Sequence, residues 1–170
     1  MRNSDVIARS AKRDEAIPWE ARTVGANLPP DCLVAGRSAR LLAMTPRLRR
    51  AYLRTRYFVQ GHELRIGRRT PAIDALLSHY TRSEGVLVTA WNPRSRVMPR
   101  GWNERQQRRL LVQLRRHRVL PAAGALGRWH EDHVFVLAPL AVVRPLARLF
   151  RQHAVVVVRR CQRARLVFIA

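Results

Sequence analysis

Asn92, Asn103, Glu131 and Gln152 are the polar residues of this 170-residue chain whose types and settings invite chemistry. Asn92 follows Gly85–Trp91, an apolar run that reads as a buried central strand. Open α/β sheets bind ligands beyond the carboxyl ends of their strands, so Thr89, Trp91 and Asn92 stand where such a ligand would lie. A buried Thr89 hydroxyl needs a partner or a ligand, and the Trp91 ring offers a stacking face. Asn92-Pro93 also suits a turn in which the Asn amide bonds its own backbone. Asn103 opens a helix and, at roughly 100° per residue, shares an azimuth with Leu110 and Leu114. It therefore points toward the core at a helix start, either as the N-cap or as a ligand-orienting amide where anions are favoured.

Glu131 is a carboxylate in a chain with few of them, suited to general-base work, to orienting a ligand amine, or to pairing with an Arg. Gln152 ends a helix where a buried strand begins, and its amide could bridge the two or contact a ligand. His130 and His133 flank Glu131 and Asp132, but strand neighbours at i and i+3 point to opposite faces, so no metal site is expected. No cofactor is expected either. Gly-x-Ser-x-Gly, a phosphate-binding Gly-rich loop, a Cys-His pairing signal and a motif-placed carboxylate pair are all missing from the sequence. Cys161 lies in a turn beside Arg160 and Arg163, a basic setting that favours thiolate.

Charge is the unusual feature of the composition. Lys and Arg number 33 against 11 Asp and Glu, a formal net charge of +22, and Lys12 is the only lysine. The excess is spread along the chain rather than held in a tail. It reads either as the signature of an anionic partner, nucleic acid above all, or as the Arg bias of a GC-rich genome. One concentrated basic surface is expected. Arg105, Arg108, Arg109, Arg115 and Arg116 project on one side of a helix over 103–117, opposite its leucines, and would contact phosphates or simply face solvent. The longest apolar stretch, Val134–Val143, has ten residues and contains Pro139. A membrane span needs about 20, so no membrane partner is expected. The N-terminus lacks an apolar export segment, and Cys32 and Cys161 have no metal or disulfide spacing. A cytoplasmic protein with reduced thiols is the expectation. Oligomeric state is left open.

The elements that must position these residues begin near residue 37; residues 1–36 read as an N-terminal extension, flexible or loosely docked. Thr45-Pro46 and Thr70-Pro71 each place an N-cap before a Pro at the first helical position, giving helices over 46–53 and 71–80. Arg56–Gln60 and Glu63–Gly67 predict a hairpin across Gly61-His62. Strands follow over Gly85–Trp91, Val134–Ala138, His153–Arg159 and Arg163–Ile169. A last helix runs over Val143–Gln152, with Pro145 in its first turn. Hairpins mixed with crossovers predict an α+β domain over 37–170: a single mixed β-sheet with helices packed on one or both faces.

Four features in order carry a resemblance: Thr89-Ala90-Trp91-Asn92-Pro93, Asn103 opening an Arg- and Leu-rich helix, Trp129-x-Glu131, and Phe150-x-Gln152 before an Ala-Val strand. Over 47–169 the chain resembles an uncharacterised bacterial domain family of unknown function with a Thr-Ala-Trp-Asn-Pro strand end. The resemblance implies a bacterial origin and a compact single domain, and it adds Trp129 to the candidate site; it implies no activity. The family pattern favours Ser where this chain has His133 and Gly where it has Arg151. Three functions remain open: a binding module for an anionic ligand such as nucleic acid or a nucleotide, an enzyme on a small polar substrate with Glu131 as acid/base, and a protein-interaction domain.

Overall fold

The computed structural model describes residues 45–169, so the expected extension over 1–36 and Cys32 lie outside the described residues. Helix α1 (Pro46–Arg54) starts as its sequence dictates, the Thr45 hydroxyl accepting from Leu48 N at 3.3 Å. Strands β1 (Arg56–Val59) and β2 (His62–Leu64) form the expected hairpin. Its turn lies at Gln60-Gly61 rather than Gly61-His62. Both residues have positive φ, +47° and +82°, and a two-residue turn of this kind wants Gly in the second place. Helix α2 (Pro71–His79) also starts at its Thr-Pro pair. There follow β3 (Glu84–Val88), α3 (Arg100–Gln113), β4 (Val119–Leu126), β5 (Trp129–Val136), α4 (Leu140–Leu149), β6 (Ala154–Arg159) and β7 (Arg165–Phe168).

The strands form one seven-stranded sheet in the order β2-β1-β4-β5-β3-β6-β7. The class is α+β, as expected. The strand directions are not mixed: every pairing is antiparallel. The reason lies in the connectivity. The crossover β3-α3-β4 joins strands that run the same way, but β5 is inserted between them, and β3 is likewise inserted between β5 and β6. This split βαβ arrangement, β3-α3-β4-β5-α4-β6, is the ferredoxin-like topology. The β1-β2 hairpin and β7 extend its two margins.

Side chains alternate across the sheet. Val86 and Val88 of β3 pack with Leu110 of α3 and with Val143 and Ala147 of α4. Leu87, Phe135 and Val156 pack on the other face with Ile73 and Leu77 of α2. Gly85 lies on that second face, where a Cβ would stand 2.3 Å from Phe135 Cζ. Gly85→Ala should therefore lower the free energy of unfolding by about 2 kcal/mol, read from urea denaturation, because a packed ring must move to admit a methyl.

β4 and α4 depart furthest from expectation, and β5 begins at Trp129 rather than at Val134. The sequence Val-Leu-Pro-Ala-Ala-Gly-Ala-Leu of β4 carries no strand signal, yet it pairs with β5 along its whole length. Its Pro121 is tolerated because its carbonyl accepts from Gln60 N at 3.1 Å, which puts its missing N–H on the same side, where β1 has given way to its turn. Helix α4 starts three residues before the expected Val143, so Pro145 is interior rather than in the first turn. An interior Pro forfeits a helical hydrogen bond and crowds the preceding turn. Pro145 is exposed, so Pro145→Ala should stabilise the domain by about 1–3 kcal/mol, seen as a raised melting temperature.

Candidate functional site

The chain leaves β3 with Thr89 and Ala90 buried and then turns sharply at Asn92. Asn92, Arg94 and Ser95 all have positive φ, between +46° and +56°. Such geometry persists in non-Gly residues only where the surroundings hold it. Here the holding group is the Asn92 side chain. Its Nδ2 donates to Glu131 Oε1 at 2.6 Å, and its Oδ1 accepts from Met98 N at 2.9 Å and from Asn103 Nδ2 at 3.0 Å. Asn92 N in turn donates to Asn103 Oδ1 at 3.0 Å, and Asn103 Nδ2 reaches Met98 O at 3.1 Å. The two amides thus tie the end of β3, the 92–99 loop and the first turn of α3 into one unit. Asn103 is not the N-cap, because α3 begins at Arg100 behind Pro99. Its inward azimuth is as read from the sequence.

A second ring of bonds surrounds the first. Thr89 Oγ1 donates to Asp132 O at 2.6 Å and accepts from Trp91 N at 3.0 Å, so its hydroxyl is satisfied by protein. Gln152 Nε2 donates to Trp91 O at 3.0 Å, bridging the end of α4 to the strand exit. Gln107, one turn after Asn103 on the same face of α3, accepts from Ala90 N at 2.9 Å. Gln107 was legible from that i, i+4 spacing and was not singled out. The Trp91 indole N–H is the one buried side-chain polar atom of the described residues that lacks a partner.

Glu131 is 5% exposed and, among the described residues, has no Arg partner, contrary to the pairing its setting in a basic chain suggests. The other acids of the described residues take arginine or histidine partners: Glu63 with Arg56 and Arg65, Asp74 with Arg69, Glu84 with Arg159, Glu104 with Arg100, and Asp132 with His130. Burial pushes the Glu131 carboxyl up to about 7, against the opposing pull of the Asn92 amide. Its carboxyl faces a concavity of about 300 Å³, open mouth included, lined among others by Tyr52, Tyr57, Thr89, His133 and Gln152. Burial also raises the Tyr52 phenol, with Ser95 and Glu131 acting on it as neighbours. His133 Nδ1 lies 3.1 Å from Glu131 O, its ring edge-on to Tyr57, and burial pulls the imidazole down to about 4. Tyr52, Tyr57 and His133 were not singled out as site residues, and no local motif marks the two tyrosines.

Of the expected site residues, Thr89, Glu131 and Gln152 line this concavity, while Asn92 and Asn103 stand behind it, joined through Glu131. Trp129, two residues before Glu131, is 40% exposed and outside the network. Arg105, Arg108 and Arg109 are exposed on α3. Arg115 and Arg116 are exposed too, but α3 ends at Gln113, so they lie in the following turn rather than on the helical stripe. Cys161 is exposed in the β6–β7 turn, with Arg69 Nη2 3.6 Å from its sulfur. No cluster of three or more His, Cys, Asp or Glu able to hold a metal ion occurs among the described residues. Within the same residues no helix is long and apolar enough to cross a membrane.

The fold thus belongs to the α+β class with a ferredoxin-like core, and its polar network lies where β3, α3 and β5 meet. Residues 88–155 match a family model described as "Protein of unknown function (DUF3293)". That stretch is shorter than the 47–169 of the expected resemblance, and it runs from the end of β3 to the start of β6. Thr89, Asn92, Asn103, Glu131 and Gln152 all lie inside it; Tyr52 and Tyr57 lie outside. No curated protein and no solved structure matches the chain.

Proposed function

We propose that the Glu131 concavity binds a small polar molecule and that Glu131 exchanges a proton with it. The observation that supports this is a buried carboxyl without a cationic partner among the described residues, in a chain carrying 33 Lys and Arg. A structural carboxyl in such a chain would take an Arg, whereas a group held near neutral in a concavity is suited to acid/base work. Asn92 occupies Oε1, which leaves Oε2 to face the ligand. The Tyr52 hydroxyl, the Gln152 carbonyl oxygen and the His133 imidazole are the groups to orient it. Asn92, Asn103 and Thr89 bond to protein and act as positioning residues. The enclosed space is far smaller than a drug-sized cleft, which favours a molecule of a few atoms over a nucleotide. An anion at this spot would also meet ionised Glu131, which argues against the anionic ligand expected at the strand exit. A cytoplasmic location goes with this reading, since the exposed Cys161 thiol stays reduced there.

A thermal-shift screen of small polar compounds tests the proposal, with wild type and Glu131→Gln run side by side. Gln keeps the size and the acceptor for Asn92 while removing the titratable proton. The expected hits raise the wild-type melting temperature, lose that effect in the variant, and perturb the amide resonances of Thr89, His133 and Gln152. Hits that map elsewhere, or that ignore the substitution, overturn the reading.

A further inference from the structure

The outer face of α3 carries positive charge that nothing in the described residues neutralises. Glu104, on the same helix, is engaged by Arg100 at 2.6 Å. Glu63, Asp74 and Glu84 are held by Arg56, Arg65, Arg69 and Arg159 on other elements. Arg105, Arg108 and Arg109 face solvent with no acid opposite among the described residues, and Arg109 reaches only Gln106 Oε1 at 3.4 Å. At roughly 100° per residue the three fall within an arc of about 100°, opposite the buried Asn103, Gln107 and Leu110. The helix has 14 residues and is therefore about 21 Å long, and its inner face is fixed to the sheet. Three like charges so close repel one another, which makes their unneutralised state a cost that binding a polyanion would relieve.

The rest of the fold narrows the kind of polyanion. Single-strand binders stack bases on exposed aromatic rings of a sheet or groove. Here α3 and α4 cover one sheet face and α2 covers the other. Among the described residues, the exposed aromatic side chains are Trp129, at the β4–β5 turn, and Phe168, on the marginal strand β7. The one aromatic residue of α3, Trp102, is half-buried, and none lies between Arg105 and Arg128. A rigid row of guanidinium groups without a stacking platform matches phosphates held in a regular array. We infer that the outer face of α3, through Arg105, Arg108 and Arg109, is a sequence-independent docking surface for the phosphate backbone of duplex nucleic acid. This surface is separate from the Glu131 concavity, and neither depends on the other.

Anisotropy titrations at several salt concentrations test it, with a DNA duplex, an RNA duplex, a single strand of equal length and poly-glutamate as probes. Each phosphate contact contributes roughly −0.9 to the slope of log affinity against log salt for B-DNA. Replacing all three residues (Arg105→Gln, Arg108→Gln and Arg109→Gln) should flatten the slope by about 2 to 3 units. Folding should be unchanged, since Arg and Gln have similar helix propensity, and a thermal melt checks that. The control replaces Arg160, Arg163 and Arg165 with Gln; these are exposed on the β6–β7 hairpin and should change the slope by less than about 1 unit. Arg159 is unsuitable as a control because it holds Glu84 at 2.6 Å. The tighter of the two duplexes identifies the natural source. Equal flattening by both triple variants overturns the inference. So does tighter binding to the single strand or to poly-glutamate, or no duplex binding at about 0.15 M salt.

Discussion

Asn92→Ala is expected to lower the free energy of unfolding by about 4 kcal/mol, a loss large enough to threaten folding of a domain this size. The substitution removes the donor from Glu131 Oε1, the acceptor from Met98 N and one acceptor from Asn103 Nδ2, all at buried or part-buried sites. Each polar group left buried without a partner costs about 1–3 kcal/mol. The backbone adds to this, because Asn92 sits at φ +46°, a left-handed conformation that Asn tolerates and Ala resists by about 1 kcal/mol. Asn92→Gly separates the two causes: it removes the same hydrogen bonds without the backbone penalty, and should be about 1 kcal/mol less damaging than Ala. A double-mutant cycle with Asn103→Ala should return a coupling of about 1–3 kcal/mol, because the Asn103 Nδ2–Asn92 Oδ1 bond joins the two side chains and both also hold the Met98 backbone. Urea denaturation of wild type, the three single variants and the double variant measures all of it. A loss below about 1 kcal/mol for Asn92→Ala would show that water replaces the network readily and that it does not hold the loop.

The pairing of Asn92 with Asn103 was half legible in the sequence. The inward azimuth of Asn103 follows from its spacing to Leu110 and Leu114, and it survives a misplaced helix start because the period does not depend on the boundary. What the sequence did not contain was the partner. Asn92 could as well have bonded its own turn; the structure has its oxygen accept six residues on, at Met98, because the backbone folds back through Arg94 and Ser95 at positive φ. No residue type in that stretch announces such a path, since Arg and Ser are not the residues that favour it.

Glu131 shows the opposite failure. Its rarity in a basic chain made an Arg partner the natural expectation, yet the inward face of β5 sets it across from Gly124 and beside the strand exit. Burial alone does not set Glu131 apart, since Asp74 is buried too and is still reached by Arg69 from the surface. β4 was illegible for a related reason. Its small residues look like a poor strand until their neighbours are known: a Cβ on Gly124 would stand 3.0 Å from His133 Cε1 and 3.5 Å from Tyr57 Cδ1. The smallness of β4 is a packing requirement imposed from two other strands, and local propensity cannot express it. By contrast the Thr-Pro helix starts and the apolar cores of β3 and β6 were legible, because local chemistry and tertiary burial there demand the same residues.

Glu131 and His133 should give opposite pH dependences of stability that nearly cancel in the wild type. The Glu131 carboxyl is raised from 4.5 to about 7, so between those values the folded state binds more protons than the unfolded chain. Stability from this group is full below pH 4.5 and is lost as pH rises toward 7, by about 3 kcal/mol in all. The His133 imidazole is lowered from 6.5 to about 4, so the folded state there binds fewer protons. Its stabilisation is full above pH 6.5 and is lost as pH falls toward 4. Because His133 keeps part of its surface in water, its contribution is the smaller, about 1–2 kcal/mol. The two windows overlap between pH 4.5 and 6.5, where the wild-type curve should be shallow and slightly falling. Glu131→Gln removes the falling component, so stability should rise with pH across that window. His133→Ser removes the rising one and should steepen the fall. Absolute stabilities will differ among the three proteins, and the sign of the slope is the quantity to read, from urea midpoints taken at half-unit steps of pH. Contributions from exposed groups are common to all three and drop out of the comparison. A carboxyl-carbon titration of Glu131 should meanwhile show a midpoint near 7, well above that of an exposed Glu. Parallel slopes in wild type and Glu131→Gln would mean that Glu131 titrates as an exposed carboxylate, and the proton-exchange role proposed for it would go with them.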